Sequence, residues 1–244
     1  MKIVVSNKIF LKEAPAEIRQ TLIERLQMPN PKWLENERMG RWNGDTPQPL
    51  KFYEITKNGG LIVPRGYARQ LILACRKRKI EYELVDKRRE LAPVKMQFRG
   101  SLRPYQRQAA EKLLSKDFGT VSFPTGSGKT VLALYMVAER KQPAMVVVHT
   151  RDLAFQWSER ISEFLSIPEE EIGMIGGGKT VVGKRFTVAM VQTLYKCAEE
   201  VSEKIGFLIV DECHRAPSRT FTEAVTAFDS RYMLGLSATP WRRD

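Results

Sequence analysis

The run Phe123-Pro124-Thr125-Gly126-Ser127-Gly128-Lys129-Thr130 brings together the groups that hold a polyphosphate. A phosphate is best met by backbone N–H groups lining a concave loop at a helix N-terminus, together with one cation and one hydroxyl. Gly126 and Gly128 permit the tight turn, Lys129 is long enough to reach the β- and γ-phosphates, and Thr130 can ligate Mg²⁺. The run departs from the GxxxxGK[ST] pattern at its first position, where Phe123 replaces glycine. A glycine-rich turn without a ligand is the alternative. A second cluster lies 82 residues beyond Lys129, where the apolar stretch Phe-Leu-Ile-Val ends in Asp211-Glu212-Cys213-His214. Asp211 suits Mg²⁺ held through water, and Glu212 suits orientation or deprotonation of an attacking water, the step that separates a hydrolase from a binder. An acidic pair after a strand is also a common loop feature, and the upstream phosphate loop is what makes this pair interesting.

For these groups to meet, both must stand at the C-terminal ends of parallel strands, where open α/β sheets take their ligands. The chain has that rhythm. Short apolar or β-branched runs starting at Thr120, Ala144, Arg185, Phe207 and Tyr232 alternate with helical stretches such as TVLALYMVAERK and LAFQWSERISEFL. This alternation predicts an α/β domain with a parallel sheet covered on both faces. The first part reads differently: a strand in KIVVSNKIF, a helix in APAEIRQTLIERLQM, a hairpin through Asn58-Gly59-Gly60, a helix in RGYARQLILACRKRKI and a strand in EYELVD. We therefore place a small α+β domain over residues 1–92, with Leu91-Ala92-Pro93 as linker, and the larger α/β domain over residues 93–244. The loop-like stretch from Pro29 to Leu50 has room for a short helix around Pro31–Met39.

Of the net charge of +12, most sits in the small domain: residues 1–95 carry 20 Lys and Arg against 11 Asp and Glu, whereas residues 96–244 carry 20 against 17. Such a basic surface suits nucleic acid, with a solvated basic face as the alternative. Trp33, Arg38, Arg41 and Trp42 could stack on bases or meet phosphates, although aromatics in a small domain more often pack its core. Hydrophobic residues at 43% and charged residues at 28% exclude wholesale disorder. No apolar run approaches the roughly 20 residues of a membrane span, and no export signal stands at the N-terminus, so we expect a cytoplasmic protein, with no membrane partner. Cys75, Cys197 and Cys213 are spaced as reduced thiols rather than as disulfides or a zinc site.

In order, FPTGSGKT, DECH and Ser237-Ala238-Thr239-Pro240 resemble motifs I, II and III of superfamily 2 helicases of the DEAD/DEAH type, a resemblance covering most of residues 98–244. It implies a RecA-like P-loop domain using ATP and Mg²⁺. Pro124, Thr125, Gly126, Ser127, Gly128, Lys129 and Thr130 would hold the nucleotide, and Thr130 and Asp211 the metal. Glu212, Asp211 and Lys129 would serve catalysis, while His214, Ser237 and Thr239 would couple hydrolysis to movement. LRPYQRQA resembles the family's Q-type motif, in which Gln106 would read the adenine edge with Arg103 nearby. HTRDLAFQW, with His149 where proline is usual, resembles motif Ia; Gly176–Lys179 resembles motif Ib, and MVQTL the next strand-end motif. These imply a nucleic-acid path along Thr150, Arg151, Gly177, Lys179, Gln192 and Thr193.

DECHRAPSRTF and GLSATPWRRD are similar to the XPB and UvsW branch, in which a small DNA-gripping or damage-sensing domain precedes the first RecA-like domain. DNA, single-stranded or branched, is the partner this implies, and a nucleoid-associated place in a bacterial or viral setting. The family closes its ATP site with arginines from a second RecA-like domain, and the sequence stops four residues after SATP. The expectation is the N-terminal part of a longer motor, with slow hydrolysis and no unwinding by this chain alone, since arginine fingers contribute about 10³ to 10⁵ in rate in GTPases. The motor part of a restriction or repair nuclease and a nucleotide-controlled DNA-binding switch are the alternatives.

Overall fold

The computed structural model describes residues 1–215 and 219–238. The chain divides into two compact units, Met1–Lys87 and Arg88–Asp244.

In the first unit, β1 (Lys2–Val5) and β2 (Lys8–Lys12) form an antiparallel hairpin, where the sequence reading has one strand. Ser6 and Asn7 make the turn, with Asn7 Oδ1 accepting from the Lys8 N–H at 3.0 Å. The alternation of the hairpin buries Ile3, Val5, Ile9 and Leu11. α1 (Ala16–Arg25) follows and turns Ile18 and Leu22 onto that face. A lobe comes next, in which β3 (Gln27–Pro29) pairs with β4 (Pro49–Lys51) around α2 (Pro31–Arg38), whose first turn is capped by the Asn30 side chain. β5 (Glu54–Ile55) and β6 (Leu61–Pro64) are joined through the expected Asn58-Gly59-Gly60 turn. α3 (Ala68–Lys77) completes the core with Leu71 and Cys75, and β7 (Glu83–Asp86) pairs parallel to β1. The sheet order is β5-β6-β2-β1-β7.

The second unit begins with α4 (Pro104–Leu114) and β8 (Phe118–Ser122), followed by α5 (Lys129–Arg140), β9 (Ala144–Val148) and α6 (Arg151–Leu165). β10 (Gly173–Gly176) and β11 (Lys179–Val181) form a hairpin before β12 (Phe186–Met190), α7 (Val191–Leu194) and α8 (Ala198–Ser202). β13 (Phe207–Val210), α9 (Arg219–Thr226) and β14 (Tyr232–Ser237) follow. Among the described residues the sheet runs β11-β10-β12-β9-β13-β14-β8, parallel throughout except at the β11 edge. β9 shows why its sequence is apolar without alternation. Ala144, Val146 and Val148 pack with α5 and α6 on one face, while Met145 and Val147 pack with α7, α8 and α9 on the other. The five strands expected for this sheet are all present, and β10 and β11 are additions, since Gly173-Met174-Ile175-Gly176 is half glycine and carries little strand signal. Among the described residues no helix is long and apolar enough to cross a membrane.

Residues 88–92, which the sequence reading assigns to the small domain, are bonded to the second unit. Arg88 pairs with Asp117 at 2.9 Å, and Arg89 makes a bidentate contact with Asp229 at 2.9 and 3.0 Å. Leu91 donates its N–H to Gln142 Oε1 at 2.7 Å and accepts from Gln142 Nε2 at 2.9 Å. A buried amide side chain thus substitutes for a strand partner along this segment.

Candidate functional site

The loop between β8 and α5 is shaped by two left-handed glycines, Gly126 and Gly128, at φ 77° and 78°. A Cβ on Gly126 would meet open space, whereas one on Gly128 would lie 2.5 Å from Gln106 Nε2. The loop is therefore open in front of Gly126 and packed behind Gly128. Its packing comes from the first turn of α4: Gln106, 3% exposed, donates through Nε2 to the carbonyls of Ser127 (2.9 Å) and Gly128 (3.2 Å) and accepts from the Arg103 N–H at 2.8 Å. Tyr105 adds a hydrogen bond from its hydroxyl to the Ser127 carbonyl at 2.7 Å and an edge-on contact with Phe123. The sequence reading gives Gln106 an adenine edge; in this structure its side-chain amide bonds to the glycine-rich loop. Arg103 is exposed, with Nη1 3.3 Å from the Tyr105 hydroxyl. Lys129 opens α5 and donates to the carbonyls of Phe123 (3.0 Å) and Pro124 (3.2 Å), so its ammonium lies within the loop. Pro124 and Thr125 are exposed, Ser127 Oγ donates to the Pro124 carbonyl at 2.6 Å, and Thr130 is half-buried in the first turn of α5.

Asp211 follows β13 and is 8% exposed. Its N–H donates to the Val147 carbonyl at 3.0 Å, and both carboxylate oxygens are engaged. Oδ1 accepts from the Glu212 N–H at 2.9 Å and Oδ2 from the indole N–H of Trp157 at 2.8 Å. Glu212 has φ 51°, an unfavourable conformation for a residue with a Cβ. That backbone places Glu212 Oε2 3.2 Å from His214 Nδ1, which is itself 3.0 Å from Ser237 Oγ. A protonated Nδ1 donates toward the Glu212 carboxylate, whereas a bare Nδ1 accepts from the Ser237 hydroxyl. Ser237, fully buried, ends β14, and its carbonyl accepts from the Phe123 N–H at 3.2 Å. The serine is thereby tied to the start of the glycine-rich loop on one side and, through His214, to Glu212 on the other. Thr239, expected to share its coupling role, lies outside the described residues. Burial pushes the Cys213 thiol up, with Asp211 and Glu212 adding to the effect, so its thiolate is disfavoured.

The residues expected along nucleic acid gather at the ends of the neighbouring strands. Thr150 caps α6, its hydroxyl accepting from the Leu153 N–H at 3.3 Å, and Arg151 beside it is exposed. A Cβ on Gly177 would stand 3.7 Å from Arg151 Nη2, which brings the β10–β11 turn against the start of α6. Lys179 is exposed on that turn's far strand. Gln192, exposed, donates to the His149 carbonyl at 3.1 Å, and Thr193 is partly buried in the same turn of helix. The His149 ring stacks on Phe221 of α9 at 4.9 Å.

In the first unit, Arg38 and Arg41 are exposed and Trp33 is partly buried. Trp42 is 92% exposed, unlike a core aromatic. α3 adds a surface the sequence reading did not single out. Arg69, Arg76 and Lys77 are exposed on it and Lys79 just beyond, with no acidic residue between Arg65 and Ile80. Tyr105, Gln142 and Trp157 were likewise unassigned from sequence. Their neighbourhood in a motif was visible for Tyr105 and Trp157, but their partners lie 22 and 54 residues away.

A family model described as "Type III restriction enzyme, res subunit" matches residues 99–242. The chain is 41% identical over 143 residues to the DNA 3'-5' translocase XPB2 of Sulfurisphaera tokodaii, a match covering 59% of this chain and 32% of that protein. It is 29% identical over 256 residues to the protein named "Probable helicase D10" of Escherichia phage T5, which covers all of this chain and 50% of the relative. The chain thus spans about a third to a half of these curated relatives. A crystal structure of the UvsW helicase from bacteriophage T4 superposes over 98% of this chain and 93% of that one, with a TM-score of 0.69 at 18% identity, a likeness of fold. With the family model covering more than half of its length, the chain belongs to the type III restriction enzyme, res subunit family.

Proposed function

We propose that this chain is the nucleotide-binding part of an ATP-dependent DNA helicase or translocase. The observation that carries the proposal is the division of one sheet edge. β8, β14 and β13 lie side by side and end in the phosphate loop, Ser237 and Asp211-Glu212, whereas β9, β12 and β10 beyond them end in Thr150-Arg151, Gln192 and Gly177. One half of the edge suits a polyphosphate, and the adjoining half offers hydroxyl, amide and guanidinium groups suited to a nucleic-acid backbone. The names of the relatives from Sulfurisphaera tokodaii and phage T5 support the same reading.

The residues fit ATP and Mg²⁺. The open space before Gly126 and the Lys129 ammonium within the loop suit phosphate, and Thr130 with Asp211 supplies the hard oxygen donors that Mg²⁺ prefers. Mg²⁺, when bound, would neutralise charge on the phosphates as it develops. Glu212 would orient the attacking water, and His214 would pass the state of Glu212 to Ser237. Gln106 and Tyr105 hold the loop in shape, with Arg103 at the rim of the nucleotide site. Thr193, Lys179 and Thr239 are assigned with Gln192, Gly177 and Ser237 to the strand path and to coupling. The small domain, with its basic α3, would hold DNA, and arginines of a further RecA-like domain would speed hydrolysis, so that turnover by this chain is slow.

The test is binding of a fluorescent ATP analogue with Mg²⁺, in parallel with hydrolysis with and without single-stranded and branched DNA. Lys129→Ala is expected to weaken nucleotide binding about 10- to 100-fold, the loss of a hydrogen-bonded charge contact, and DNA is expected to raise turnover of the unaltered chain. Equal nucleotide affinity in the two proteins would refute the assignment.

A further inference from the structure

Trp157 stands two turns into α6, about 10 Å along the axis from the capping residue Thr150. It continues a buried stripe with Ala154, Ile161 and Leu165, and is itself 2% exposed. An indole N–H only donates, and when buried it needs an acceptor. The acceptor here is not a backbone carbonyl of a neighbouring element but Asp211 Oδ2, at 2.8 Å. The Asp211 backbone is held by the Val147 carbonyl and its carboxylate from two sides, Oδ1 by the Glu212 N–H and Oδ2 by the indole, and of these contacts the indole is the one that comes from a helix. The N-terminal end of that helix carries Thr150 and Arg151, with Gly177 against the guanidinium.

We propose that Trp157 is a positioning residue for Asp211, and that α6 is the rod through which a nucleic-acid strand at Thr150 and Arg151 alters how Asp211 holds Mg²⁺. This rests on the nucleotide reading above. A helix of this length is stiff along its axis, and an N–H···O⁻ contact is short and directional, so a small movement of α6 changes the orientation of the carboxylate rather than being absorbed. Groups that orient a metal ligand from behind typically account for 10- to 100-fold in metal affinity or activity.

The experiment uses the whole chain, a mant-labelled ADP, MgCl₂ titrated from a chelated start, and an oligothymidylate. Trp157→Phe removes the donor and keeps an aromatic ring; β-(3-benzothienyl)alanine at position 157 keeps the full bicyclic shape and replaces N–H by sulfur, so that retention of the fold is secured. Both variants are expected to bind mant-ADP without Mg²⁺ as the unaltered chain does, and to need about tenfold more Mg²⁺ for half of the metal-dependent gain in affinity. The oligothymidylate should shift that Mg²⁺ midpoint in the unaltered chain and leave it in place in the variants. A Mg²⁺ midpoint unchanged by the benzothienyl residue overturns the positioning role, and an oligothymidylate shift that persists in the variants overturns the link through α6. If the unaltered chain binds no mant-ADP with or without Mg²⁺, the nucleotide reading itself fails, a result distinct from either of these; binding that gains nothing from Mg²⁺ overturns the metal role of Asp211 and with it the proposal.

Discussion

Glu212 occupies the left-handed region at φ 51°, a conformation that costs a side-chain-bearing residue about 1 to 2 kcal/mol and that glycine adopts freely. Strain of this kind persists where neighbouring contacts over-determine the backbone, and here Asp211 Oδ1 holds the Glu212 N–H while His214 meets its carboxylate. The conformation accompanies a turn of the Glu212 carboxylate toward His214, 3.2 Å away. Glu212→Gly should therefore leave the thermal midpoint unchanged or slightly raised while removing nucleotide hydrolysis. A clearly lowered midpoint would show that the side chain supports the fold, and hydrolysis retained in the variant would show that the carboxylate is not needed for the chemistry. Asp211 and Glu212 stood out as candidates in the sequence because two acids follow an apolar strand downstream of a glycine-rich loop. The indole behind Asp211 was not legible, since nothing local in HTRDLAFQW says where the Trp157 N–H points.

At the scale of elements, the extended segment that leads into α4 is held as firmly as a strand without being one. Gln142, 2% exposed, meets both the N–H and the carbonyl of Leu91, and the Val94 N–H donates to the Lys141 carbonyl at 2.8 Å. Phe98 then packs edge-on to Tyr135 and face-on to Phe164, joining the segment to α5 and α6. Gln142→Ala leaves the Leu91 peptide groups without these partners and should destabilise the second unit by about 2 kcal/mol in urea unfolding. It should also expose the Leu91-Ala92-Pro93 stretch to proteolysis, and an unchanged midpoint together with unchanged cleavage would sink this view. Composition alone makes Leu91-Ala92-Pro93 look like a linker, because proline and small residues mark breaks between elements. The partner that converts it into a fixed strap lies 51 residues away.

For the whole molecule, charge and chemistry are concentrated in different units. Met1–Lys87 carries 17 Lys and Arg against 10 Asp and Glu, a net charge of +7 in little more than a third of the chain. The lobe around α2 contributes little to this, since Lys32, Arg38 and Arg41 are balanced by Glu35, Glu37 and Asp45, and the excess is concentrated on α3 and the turn after it. Reversing Arg69, Arg76 and Lys77 to glutamate should flatten the dependence of single-stranded DNA affinity on salt by about 2 in the slope of log K against log[salt], the share of three phosphate contacts. Nucleotide affinity should not change, because these residues are exposed and belong to the other unit. A salt slope equal to that of the unaltered chain would remove α3 from the DNA-binding surface.

What the sequence by itself determined was the parallel sheet, the glycine-rich turn at Gly126–Thr130 between strand and helix, and the acidic pair at the end of an apolar strand at Asp211-Glu212. Each depends on contiguous residues: an apolar run that can be buried on both faces, glycines where the backbone turns left-handed, and side chains attached directly to the end of a strand. The tertiary structure alone decided that Gln106 lies against Ser127 and Gly128, that His214 stands between Glu212 and Ser237, that Trp157 holds Asp211, and that Trp42 is on the surface. These are meetings of side chains from separate elements, set by strand register and by which face each helix turns to the sheet. Hydrogen bonds of this kind form only after the core has placed their backbones, so no local pattern of residues announces them.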